Sequence, residues 1–93
     1  MSNIRFEWDA RKASANKKKH GISFEEARTV FFDENAKLID DPDHSEDGDR
    51  FVLLGVSSSL KVMLVCHCYR EKGNVVRIIS ARKASPRESK QYR

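Results

Sequence analysis

A chain of 93 residues has room for one hydrophobic core and not for two, so residues 1–93 are expected to form a single domain. With 39% hydrophobic residues and no apolar run near the roughly 20 residues that a bilayer demands, it is expected to be a soluble, cytoplasmic protein without membrane contact. The net charge of +4 hides a segregation: residues 21–49 set ten carboxylates against Arg28 and Lys37, whereas both flanking stretches are basic. That pattern suggests a face for a polyanion, with ordinary solvated charge as the plainer alternative.

Ile4 to Trp8 alternates enough for a short strand, and its charges at Arg5 and Glu7 are unlike a signal peptide. Asp9 can cap a helix running to His20, and Gly21 can end it in the left-handed conformation. Only Ala10, Ala13 and Ala15 give that helix an apolar side, so a surface position is expected. Lys17, Lys18, Lys19 and His20 fill its last turn, where positive charge suits the helix dipole. Ser23 and Glu26 have capping-box spacing, and Phe24, Ala27, Val30 and Phe31 fall on one face of a second helix ending near Asp33.

Lys37 to Asp40 reads as a short strand. Asp41 to Asp49 is polar and turn-rich. Its carboxylates at Asp43, Glu46, Asp47 and Asp49 raise a calcium loop, but the EF-hand spacing is absent and a mobile loop is expected instead. Arg50–Ser57, Lys61–Arg70 and Val75–Arg82 follow as strands joined by short connections, hence as antiparallel hairpins. A last helix over Pro86–Tyr92 starts with Ser85 as cap, Pro86 at its first position and Glu88 at its third.

The order β-α-α-β-β-β-β-α predicts an α+β fold, an antiparallel sheet with helices packed on one face and the other face available for a ligand. No phosphate-binding glycine loop, dinucleotide fingerprint, zinc-peptidase motif or nucleophile elbow occurs. Cys66 and Cys68 share one side of a strand, a spacing poor for a disulfide and lacking further zinc ligands, so half-buried thiols are expected. What remains is a constellation of His, Arg, Lys, Glu and Tyr.

Alternation places Met63, Val65, His67 and Tyr69 on one side of their strand. In the next strand Val75, Arg77, Ile79 and Ala81 share a side, opposite Val76, Ile78, Ser80 and Arg82. Arg77 in so apolar a strand must pair with a carboxylate or meet solvent on the open face. His67 is either a satisfied core histidine or a proton shuttle facing substrate. Arg82 and Lys83 leave the strand where Glu88 and Tyr92 of the following helix can converge on them. His20 can touch phosphate or cap its own helix.

Phe6-Glu7-Trp8-Asp9, Asn16-x-x-Lys19-His20-Gly21, Ser23-Phe24-x-Glu26-Ala27, Val30-Phe31-x-Asp33, Asp43-His44 with Arg50, and Ile79-Ser80-Ala81-Arg82-Lys83-Ala84 with Glu88 and Tyr92 together resemble the BrnT family. The resemblance covers essentially the whole chain, with one small departure at Asp49-Arg50, where the family more often has Glu. It implies a RelE-like fold and a ribonuclease toxin of a type II toxin–antitoxin system that inhibits translation. It further implies a BrnA-like ribbon-helix-helix antitoxin, and operator DNA bound only through that antitoxin.

Under that resemblance, cleavage needs no metal and no cofactor: the ribose 2′-hydroxyl attacks the adjacent phosphorus and leaves a cyclic phosphate. The expected catalytic set is His67, Arg77, Arg82, Glu88 and Tyr92. Arg77 and Arg82 stabilise charge, while His67 and Glu88 are the candidate base and acid. Lys19, His20 and Lys83 are expected to bind RNA. The rival reading is a non-catalytic nucleic-acid or protein-binding module within a repressor complex.

Overall fold

Asp9 and Gly21 bracket the first helix as their chemistry requires. In the computed structural model, which describes residues 4–40 and 50–92, the Asp9 carboxylate accepts from the Arg11 and Lys12 amides. Gly21 closes the helix at φ 72°, a conformation that carries no side-chain penalty for glycine. The elements are β1 (Arg5–Glu7), α1 (Ala10–His20), α2 (Phe24–Thr29) with a 3-10 turn at Val30–Phe32, β2 (Lys37–Asp40), β3 (Phe51–Val56), β4 (Val62–Arg70), β5 (Val75–Lys83) and α3 (Pro86–Tyr92). The acidic stretch Asp41–Asp49, where a mobile loop rather than a calcium site was expected, lies outside the described residues. None of the described helices is long and apolar enough to cross a membrane.

The two capping boxes differ. Ser85 and Glu88 exchange both bonds, the Glu88 amide donating to Ser85 Oγ and the Ser85 amide to Glu88 Oε1. At α2 only the first half forms. Ser23 Oγ accepts from the Glu26 amide, while the Glu26 carboxylate turns to the hydroxyls of Ser57 and Ser59 in the β3–β4 turn. Those two hydroxyls, Ser59 foremost, hold the carboxyl below its usual range, so charge-assisted hydrogen bonds tether α2 to the turn.

The α+β architecture is as expected, with two differences in detail. The sheet order is β1-β5-β4-β3-β2; β2 through β5 run antiparallel, but β1 adds to β5 in parallel. Hairpin lengths dictate only neighbouring pairs, and β1 meets a strand far along the chain. The helices also divide between the two faces. Phe24, Ala27 and Val30 pack with Met63, Val65, Val76, Ile78 and Ala81 into the main core. On the other side, Val52, Leu54 and Leu64 are covered by Ile39, Ala84 and Tyr92, so α3 lies across the sheet from α1 and α2. Among the described residues no helix covers the rest of that second face, towards β1.

A β-bulge decides what the open face displays. Cys66 pairs with Ser80 and His67 with Ile78, so Ile79 is an extra residue in β5. Strict alternation would put Arg77 and Arg82 on opposite sides. The bulge resets the parity: Arg77 lies opposite Cys68, Ser80 opposite Cys66 and Arg82 opposite Leu64, all on one side. Val76, Ile78 and Ala81 take the core side. Just beyond the bulge, buried Asn16 of α1 donates to the carbonyls of Ala81 and Ile22 and accepts from the Ala81 amide at 2.9–3.0 Å. One side chain thereby ties α1, its exit loop and β5 together.

Candidate active site

Arg70, Arg77 and Arg82 reach solvent from this second face. Arg77 projects from the middle of β5 with its side chain 30% exposed, and its Nη1 donates to Glu7 Oε2 at 2.8 Å. The parallel register places Glu7 directly beside Arg77. Arg70, at the end of β4, approaches the same oxygen through Nε at 3.5 Å. One carboxylate thus aligns two guanidiniums and leaves the group with a surplus positive charge. Cys66 and Cys68 stand on this face, half-buried and unbridged.

At the other end of β5, Arg82 faces the first turn of α3. Its two terminal nitrogens donate to the two oxygens of Glu88, each at 2.8 Å, in a fork-to-fork pair. Arg82, together with the Ser85 amide, drives the Glu88 carboxyl down to about 2. At neutral pH this carboxylate has no proton to give. Tyr92, one turn further on, donates its hydroxyl to Asp33 Oδ2 at 2.6 Å. That oxygen also accepts from the Val56 amide. The bond raises the Tyr92 hydroxyl and lowers the Asp33 carboxyl, and it latches the end of α3 to the segment after α2.

The expectation that His67 faces substrate with the arginines is not met. Its residue exposure is 0%, and it lies on the core side of β4, across the sheet from Arg77 and Arg82. Nδ1 donates to the Val65 carbonyl at 3.0 Å, which leaves Nε2 to accept from the Tyr69 hydroxyl at 3.1 Å. Phe31, Phe51 and Tyr69 surround the ring. Burial pushes its pKa down and so favours the neutral imidazole. Lys19 and His20 stand exposed in the last turn of α1, which the Asn16 bonds bring to the exit of β5. Lys83 has the parity of Ala81 and belongs to that helix-bearing side.

The sequence profile described as the ribonuclease toxin BrnT of type II toxin–antitoxin systems matches residues 8–88. The chain belongs to the BrnT family. The fold is that of the crystal structure of the ribonuclease toxin BrnT from Brucella abortus, with a TM-score of 0.69 over 88% of this chain and 97% of that one, at 24% sequence identity. A search of curated protein sequences finds no match.

Within this BrnT family member, sequence reasoning missed three residues that shape the open face. Glu7 and Arg70 flank Arg77: the pairing of β1 with β5 is read from tertiary structure alone, whereas the β4–β5 hairpin was legible and the approach of Arg70 to Glu7 was not. A general signal did exist for Glu7: a mid-strand arginine needs a carboxylate, and Glu7 lies on the only short strand before the helices. Asn16 was visible as part of a motif, yet nothing in an otherwise solvated helix marked it as buried.

Proposed function

We propose that the ribonuclease activity of the BrnT family resides, in this chain, on the open sheet face and proceeds without a metal ion. The observation that supports this most is the Arg70–Glu7–Arg77 group, two guanidiniums aligned by one carboxylate on a solvent-facing surface. In the reaction the 2′-oxygen forms a bond to phosphorus as the bond from phosphorus to the 5′-oxygen breaks. The 2′ proton goes to a base, the departing oxygen takes a proton, and a 2′,3′-cyclic phosphate remains. Negative charge grows on the non-bridging oxygens at the transition state. Preorganised guanidiniums lower that barrier without having to reorient.

Arg77 commits only Nη1 to Glu7, and its remaining donors point to the role of charge stabilisation, with Arg70 beside it. Arg82 supplies a second phosphate contact, its fork being held by Glu88 until RNA binds. Tyr92 sets the position of α3 through Asp33. His67 is assigned to the scaffold, because both of its ring nitrogens are spent on internal bonds. Lys19, His20 and Lys83 are assigned to RNA backbone passing the exit of β5. The partner is a BrnA-like ribbon-helix-helix antitoxin that covers the open face, and the pair reaches operator DNA through the antitoxin. Both act in the cytoplasm, as a single-domain toxin with its inhibitor.

Purified protein freed of its antitoxin is expected to cut RNA in excess EDTA and to leave cyclic phosphate ends. Arg77→Ala is expected to lower the single-turnover rate about 100-fold, the cost typical of losing one preorganised donor. Arg77→Lys should recover part of it. RNA bound with a steep salt dependence but left uncut would reject the nuclease reading in favour of a binding module.

A further inference from the structure

Arg77 and Arg82 share a face only because of the bulge at Ile79, but they do not share a position. Their partners Cys68 and Leu64 are four residues apart along β4. At ~3.3 Å per residue this separates the two arginines by roughly 13 Å along the strand. Long side chains could still converge from that distance. Their carboxylate partners prevent it. Glu7 draws Arg77 sideways towards β1, whereas Glu88 draws Arg82 towards α3, which packs over Leu64 and Leu54 on the side away from β1. Between them the face carries Ser80, small and exposed, opposite half-buried Cys66. The result is a shallow strip bounded by a cation at each end, not a single anion pocket.

We infer that Arg77 and Arg82 hold different phosphates of one RNA strand, Arg77 the phosphate that is cut and Arg82 a phosphate further along. This rests on the nuclease reading above and deepens it, since the preferred substrate becomes an unpaired strand of several nucleotides laid along β5. A sheet face suits unpaired strands, which can conform to it while their phosphates meet fixed cations. Arg82 then is a binding residue for a remote phosphate. Glu88 is a competitor for its fork that the incoming phosphate must displace.

The test uses 2′-O-methyl oligonucleotides, which cannot be cut, in a dinucleotide, a tetranucleotide and an octanucleotide, with affinity measured by fluorescence anisotropy. The dinucleotide has one phosphate and can occupy one arginine only. Wild-type affinity is expected to step up by about tenfold on passing to the tetranucleotide, the increment of one charge-assisted phosphate contact. Arg82→Gln should remove that step, and Arg77→Gln should weaken binding at every length. Glu88→Gln, which keeps Arg82 but removes its competitor, should enlarge the step. No step in the wild type, or an equal loss for the dinucleotide and the octanucleotide in Arg82→Gln, would overturn the inference. Failure of the protein to cut ordinary RNA would instead remove the nuclease reading, and the length dependence of these probes would still stand or fall by itself.

Discussion

Asn16 shows how much one residue can hold. Its amide meets three backbone groups, two of them on Ala81, immediately after the bulge that turns Arg82 onto the open face. Backbone groups buried there have no water to fall back on, so each lost bond leaves a group desolvated without compensation. Asn16→Ala is expected to destabilise the fold by about 3 kcal/mol, seen as a lower denaturant midpoint at unchanged slope. Asn16→Asp should be worse, because it keeps the acceptor for the Ala81 amide but sets a carboxylate against two carbonyls. A loss below ~0.5 kcal/mol would mean that the clamp is dispensable. The residue was legible as a member of a motif, and its burial was not, since polar residues on a lysine-rich helix give no periodic signal.

At the scale of elements, the sequence marked what is decided locally. Asp9, Gly21, Ser23 and Ser85 cap the helices as their side chains and backbone require, and the short connections fix the β3–β4–β5 hairpins. What escaped was the bulge, because Ile78-Ile79-Ser80 holds no residue that demands one. Missing it reversed the relation between Arg77 and Arg82. The alternation of β4 did place His67 correctly, on the side of Met63 and Val65, but not whether that side was core or solvent. Its burial has a pH consequence. The folded state keeps the imidazole neutral, whereas the unfolded chain binds a proton near the ordinary value of 6.5. Stability linked to His67 is therefore fully present above that value and is lost as the pH falls below it. His67→Phe is expected to flatten the stability profile below pH 6.5, and to change the rate of RNA cleavage by less than about twofold in folded protein. A collapse of cleavage with the fold intact would return His67 to the reaction.

The whole molecule distributes its cations over two sides of one sheet. Arg70, Arg77 and Arg82 look out from the open face, while Lys19, His20 and Lys83 gather where α1 meets the exit of β5 on the helix-bearing side. The charge segregation seen in the sequence could announce a polyanion partner, but not this division, because it depends on which side each strand residue takes. The two groups should differ in what they do to RNA. Cations at the rim neutralise backbone charge and release counterions, whereas only those at the reacting phosphate feel the change in charge during cleavage. The double variant Lys19→Ala with Lys83→Ala is expected to lower the slope of log affinity against log salt by about 1.4, at ~0.7 per phosphate contact on a single strand. Its single-turnover rate at saturating RNA should stay close to wild type. Arg77→Ala should lower that rate at every salt concentration. If the rim variant instead lost rate at saturation and kept its salt slope, the reacting phosphate would lie at the exit of β5, and the open face would be the rim.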